Sequence, residues 1–157
     1  MRVAAALGFL MLVTAGAVWA QAGSDEEELG HQAFAAGKYQ AATQHYQKSR
    51  ATGRARLRSE LNLVRAYLYQ GRIEEARMLM TELRDTASED SEFWLLQGDL
   101  SRQQSDWEAA RECYETALEM DSQNALAYLS LGQALSQLGD HVGADEAFGE
   151  YARLNPQ

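Results

Sequence analysis

The side chains with the widest chemical reach are three histidines, His31, His45 and His141, and the single cysteine, Cys113. A zinc centre needs three or four His, Cys or carboxylate ligands at short, recurring spacings. His31 and His45 share one segment, but no cysteine or acid recurs beside them at ligand spacing, and His141 stands far along the chain. All three read as incidental surface or turn residues. No glycine-rich phosphate cradle is present, because the stretch from Gly132 to Gly143 reads as helix and turn rather than strand and helix. No Gly-x-Ser-x-Gly elbow lifts a serine, and no histidine is placed to serve one. The 23 acidic residues are surface solvation by default. The expectation is a chain with no catalytic site, no cofactor and no metal. A lone cysteine forms no intramolecular disulfide, and Cys113 reads as a small buried hydrophobe.

What remains is a scaffold, and its elements have to be found from pattern. The chain has 157 residues, 46% hydrophobic, with one proline and a net charge of −9. That length suits one domain or one small array, and so little proline favours helix throughout. Net acidity argues against nucleic acid, whose phosphates demand clustered Lys and Arg. The basic residues gather once, at Lys48, Arg50, Arg54, Arg56 and Arg58. They belong to a gradient, with residues 23–90 summing to −1 and 91–157 to −9. Such a gradient orients the molecule in any electrostatic encounter.

The first 22 residues have the form of an address. Met1-Arg2 precedes an apolar run from Val3 to Ala20, and the first acidic residue is Asp25. A positive start, an apolar middle and small residues at the end describe a secretory signal peptide. Cleavage after Ala22 or after Ala20 fits the small-x-small rule, and no cysteine follows for lipid attachment. The run is also long enough for an uncleaved membrane anchor. Either way the remainder is expected across a membrane, in the periplasm or anchored to the inner membrane facing it. Without the leader, 13 basic residues oppose 23 acidic ones, a net charge of −10.

Beyond the leader the chain is marked every 34 residues. Gly37-Lys38-Tyr39, Gly71-Arg72-Ile73, Ser105-Asp106-Trp107 and Gly139-Asp140-His141 fall at that interval. So do Ala42, Ala76, Ala110 and Ala144, followed by the large apolar Tyr46, Met80, Tyr114 and Phe148. Gly30, Val64, Gly98 and Gly132 make a further set. A fixed period of this size signals stacked supersecondary units. Each unit reads as two helices joined at the Gly-x-aromatic step, with the small residues letting the helices approach closely. Ser105 in place of glycine is expected to strain its turn or to admit a different cap.

The pattern resembles the tetratricopeptide repeat (TPR) family, of the exported bacterial type. Ser91 to Asn124 carries it best, with Trp94, Gly98, Asp106-Trp107, Ala110, Tyr114 and Ala117-Leu118. The last unit follows with Tyr128, Leu131-Gly132, Gly139-Asp140, Ala144, Phe148 and Pro156. The resemblance implies an all-α, right-handed solenoid of four helix-turn-helix units, eight helices in all, after the signal peptide. The units are expected at 23–56, 57–90, 91–124 and 125–157, the first two divergent. Gly143 and Gly149 inside the last helix, and the lack of a capping helix after it, predict fraying there or a partner for Phe148, Tyr151 and Leu154.

The resemblance also implies that the first helix of each unit lines a concave surface that binds peptides. Candidate groove residues are Phe34 in the first unit, together with Glu27, Glu28 and His31. The second contributes Arg58, Leu61, Asn62, Arg65 and Tyr69, the third Leu95, Leu96, Asp99 and Arg102, and the fourth Leu129. Leu61, Leu95, Leu96 and Leu129 are expected to form an apolar stripe, with arginines fixing register. Arg58, Asn62 and Arg65 suit a partner's carboxylate, but Glu27 and His31 do not complete the clamp seen in some relatives. The function implied is a non-enzymatic protein-interaction scaffold binding a peptide or helix, in envelope or periplasmic assembly. The alternatives are a membrane-anchored assembly factor, as in cytochrome c maturation or pilus biogenesis, and a homodimer formed through the C-terminal helix. Contact with a membrane is expected only if the leader stays attached.

Overall fold

The computed structural model describes residues 25–53 and 55–156, and every regular element among them is an α-helix. α1 covers 25–35. It is followed by α2 (Tyr39–Ala51), α3 (Leu57–Tyr69), α4 (Ile73–Ala87), α5 (Ser91–Gln103), α6 (Trp107–Met120), α7 (Ala125–Leu138) and α8 (His141–Leu154). The leader expected at 1–22 and Arg54 of the basic cluster lie outside the described residues. Among those residues no helix is long and apolar enough to cross a membrane. The chain forms two compact units that meet in sequence between Gln70 and Gly71. α1 to α3 make the first, and α4 to α8 make the second, in which each helix packs on the next as in a solenoid.

The periodic small residues are where helices touch. A Cβ added to Gly30 would stand 2.6 Å from Tyr46 Cε1, and one added to Gly132 would stand 2.5 Å from Phe148 Cε1. Gly98 and Tyr114 repeat the arrangement. Each glycine thus receives the ring that lies 16 residues downstream, on the second helix of its pair. Ala42, Ala76, Ala110 and Ala144 are buried beside these contacts.

The turns follow the period as well. Gly139 ends α7 at φ +83, with Gly139 N–H donating to Ser136 O at 3.2 Å and Asp140 N–H to Leu135 O at 3.0 Å. This is the paired bonding of a left-handed helix stop. Ser105 is forced into the same backbone at φ +62, with Ser105 N–H donating to Arg102 O and Asp106 N–H to Ser101 O. Of the two outcomes expected for Ser105, the structure takes strain, about 1 kcal/mol for a side chain in this region.

Helix starts differ between α2–α4 and α5–α8. At α5 to α8, Asp90, Asp106, Asn124 and Asp140 each accept a backbone N–H of the first turn. Lys38 and Arg56 hold the same position in the first unit, and neither makes a side-chain cap. Arg72 at the start of α4, in the second unit, also makes none. A missing cap costs about 1 kcal/mol, and a cation there also opposes the helix dipole. Side-chain bonds compensate. Gln70 Nε2 donates to Thr43 Oγ1 at 2.7 Å, and Gln47 Nε2 to Tyr67 Oη at 2.8 Å, tying α3 to α2. At the far end α8 stays helical to Leu154 despite its two glycines, with Phe148 seated against Gly132 and with Tyr151 and Leu154 half-buried.

Candidate functional site

The first unit holds an open pocket of about 250 Å³ between α1 and α3, lined by His31, Phe34, Ala35, Tyr46, Arg58, Asn62 and Arg65. α1 supplies one wall because His31, Phe34 and Ala35 lie three and four residues apart, on one helical face. α3 supplies the other with Arg58, Asn62 and Arg65, spaced four and three. Tyr46 of α2, drawn in against Gly30, closes the floor. The His31 ring leans on Tyr46, centroids 5.6 Å apart, and its Nε2 is buried without a hydrogen-bond partner among the described residues. Arg58 is exposed, and its side chain makes no ion pair or hydrogen bond with any described residue. Burial pushes the Tyr46 phenol up to about 12, opposed by Arg65 and aided by Glu27, so the floor stays neutral at ordinary pH.

Beside the pocket stands an aromatic corner. Tyr69 stacks on Tyr39 at 4.7 Å and meets the edge of Phe34 at 5.7 Å, while remaining 62% exposed. The pocket therefore joins a cationic wall to an apolar rim.

The second unit carries a pocket of about 260 Å³ lined by Arg102, Trp107, Gln133, Ser136, Gln137 and Phe148. Two repeats after His31 stands Asp99, which accepts from Tyr114 Oη at 3.0 Å and from Arg102 at 3.4 Å. Burial alone would lower the Arg102 guanidinium, but Asp99 and Tyr114 outweigh it and hold Arg102 firmly charged. Burial and then the Asp99 charge raise the Tyr114 phenol well above its usual value. Here acid, base and phenol satisfy one another.

The expected groove residues separate accordingly. Phe34, Arg58, Asn62 and Arg65 come together in the first pocket, with Tyr69 at its rim. Asp99 and Arg102 pair in the second unit, and Leu129 is half-buried outside both pockets. The apolar stripe does not exist as a surface. Leu61, Leu95 and Leu96 are 1%, 5% and 0% exposed. Leu61, Leu95 and Leu129 recur at the 34-residue interval, so they are packing positions, and helical periodicity turns the first two inward.

Glu27 occupies the same repeat position and is likewise buried, at 7% exposure. It is a buckle, not a groove residue. Its carboxylate accepts from Ser49 Oγ at 3.3 Å and from the backbone N–H of Arg56 at 3.0 Å, fastening α1 to the start of α3. Glu26 pairs with His45 Nδ1 at 2.6 Å, which gives that histidine a structural task. The sequence placed Glu27 in the groove and did not show its fastening role, nor the walls formed by Ser136 and Gln137. The signal was available, since Glu27 interrupts a column of leucines and Gln137 stands two repeats after Tyr69. Cys113 is half-buried, and burial, helped by Glu112 and Asp106, pushes its thiol up to about 11, which makes it a poor nucleophile.

Three family models match the chain. Two described as tetratricopeptide repeat cover residues 33–100 and 125–157, and one described as TPR repeat covers 98–139. No curated protein matches the sequence. Among solved structures, TTC0263, a thermophilic TPR protein of Thermus thermophilus, superposes with a TM-score of 0.76 at 17% identity, over 85% of this chain and 74% of that one. MamA from Desulfovibrio magneticus RS-1 gives a TM-score of 0.69 at 18% identity, over 84% of this chain and 75% of that one. At such identities the likeness is one of fold.

Proposed function

Because the chain belongs to the tetratricopeptide repeat family, whose repeats are protein-interaction modules, we propose that it is a non-enzymatic scaffold holding a partner polypeptide on its first unit. The observation that carries this reading is the pocket between α1 and α3, with a cation, a buried histidine nitrogen lacking a partner, and an exposed tyrosine at its rim. A folded protein does not leave such groups together without a cost in desolvation and exposed apolar area. Two acids elsewhere serve the fold. Glu27 buckles α1, and Asp99 holds Tyr114 and Arg102.

The place of action we propose is the periplasm, in envelope assembly, reached by cleavage after Ala20 or Ala22. The apolar run after Met1-Arg2 supports this, and sequencing the N-terminus of the processed protein is expected to begin at Gln21 or Gly23. An intact N-terminus would favour the anchored form. The binding face is tested with a photo-cross-linking residue placed at Tyr69 or, on the outer helix, at Glu82. Cross-linking in cells is expected to give a discrete adduct from position 69 and none from position 82. Equal labelling from both sites would defeat the reading.

A further inference from the structure

The first-unit pocket has a spacing that specifies more than its charge. Arg58, Asn62 and Arg65 form one stripe on α3. The seven-residue offset between the arginines sets their backbone positions about 10 Å apart along the axis, at 1.5 Å per residue. Asn62 lies between them and carries both a donor and an acceptor, the pair that recognises a peptide group. Across from the stripe stands His31, whose Nε2 is buried and without a hydrogen-bond partner among the described residues, with Phe34 and Tyr46 beside it. None of the residues lining the pocket is acidic. Arg65 already has an interaction within the protein, but a guanidinium has five donors and holds more than one acceptor.

Resting on the scaffold reading above, we infer that this pocket takes an extended partner segment bearing two acidic side chains three residues apart. In polyproline II conformation residues three apart point the same way and stand about 9 Å apart, which matches the two arginines. In a β-strand, residues three apart point to opposite faces, and residues two apart on one face are only about 7 Å apart. A helical partner is about 10 Å wide and does not enter a cleft walled by two neighbouring helices. The polyproline II backbone has no internal hydrogen bonds, so its amides are free for Asn62 and His31. Phe34 and Tyr69 then cover the apolar residue that lies between or beside the acids.

The probes are N-acetylated, C-amidated, proline-rich octapeptides labelled with fluorescein, carrying two glutamates at a spacing of two, three or four. Binding is read by anisotropy to the mature chain. Spacing three is expected to bind at least tenfold more tightly than two or four, and glutamine at either acid to cost about tenfold. Arg58→Ala and Asn62→Ala are each expected to lose about tenfold, and His31→Phe, which keeps a ring against Tyr46, several-fold. Arg102→Ala is expected to bind as the wild type does, and circular dichroism checks that each variant is folded. Indifference to spacing, binding that requires a free C-terminal carboxylate, or full affinity in Arg58→Ala would overturn the inference. If no peptide binds while position 69 still cross-links a protein, the scaffold reading stands and this inference falls.

Discussion

His31 and Asp99 stand at the same step of the repeat, two repeats apart, and the two units answer it with opposite chemistry. In the second unit an acid fills the step and closes on Tyr114 and Arg102. In the first, a histidine fills it and leans on Tyr46, while Arg58 is left to solvent. The helices, the glycine and the ring are shared. The step differs in two side chains, His31 against Asp99 and Phe34 against Arg102, and together they decide whether its polar groups satisfy one another or are left for something else. Side-chain caps begin with α5. Asp90, Asp106, Asn124 and Asp140 start α5 to α8, whereas Lys38, Arg56 and Arg72 leave α2 to α4 without one, and the first unit depends on long-range bonds such as Glu27 to Arg56.

The comparison can be broken or sharpened in order of expected effect. Leu95→Glu places a carboxylate where the side chain is 5% exposed, and is expected to cost about 4 kcal/mol or more. Chemical denaturation should show the second unit lost, and a folded variant of near wild-type stability would mean that the leucine column is surface after all. Gly98→Ala drives a methyl into the ring of fully buried Tyr114 and is expected to destabilise by about 1–3 kcal/mol in spite of better helix propensity. Gly132→Ala should cost less in the same assay, because Phe148 is only half-buried and can yield.

Alkaline titration distinguishes the two phenols on the ring positions from the rest. Their ionisation is raised by burial, Tyr46 to about 12 and Tyr114 further, against 10.0 when exposed. The folded state thus prefers the neutral phenol. Its contribution is fully present below pH 10 and is lost as the pH rises through about 12. Tyrosinate absorbance is expected to leave these two of the seven tyrosines silent until the helices melt, and ionisation of all seven before any loss of ellipticity would refute their burial. The smallest effects are transplants between repeats. Lys38→Asp, which copies Asp106 and Asp140, is expected to gain about 1 kcal/mol by capping α2. Ser105→Gly should gain about 0.5–1 kcal/mol by relieving the positive φ. Thermal melts decide both, and a lower midpoint for either variant would contradict the turn and cap assignments.

Much of this architecture was legible because repeats write the same instruction several times. The 34-residue spacing located the turns and the small residues at which helices approach, since each demands one residue type for a steric reason. The seating of each ring on the glycine 16 residues before it is seen only in the structure. The leucines were misread where periodicity within one helix was weighed above periodicity between repeats. Leu61 and Leu95 share a column with Leu129, and a column of identical hydrophobes is packing. Glu27 could not be placed by helix pattern, because its burial depends on two donors that arrive from Ser49 and Arg56, 22 and 29 residues away. The pocket was legible only in part for the same reason. Phe34, Arg58, Asn62 and Arg65 follow from helix phase, but whether His31 or Asp99 leaves a neighbour unsatisfied is settled by side chains from other helices.

The central claim is that the first unit is open to a ligand because no acid stands at position 31. It is tested most directly by His31→Asp, which gives this step of the first unit the acid that stands two repeats later. With the cross-linker at Tyr69, the yield of the protein adduct is expected to fall at least tenfold, since an internal carboxylate then repels an acidic ligand and engages the nearby cations. An undiminished adduct from a folded His31→Asp chain would show that the difference between His31 and Asp99 has no bearing on what the protein holds.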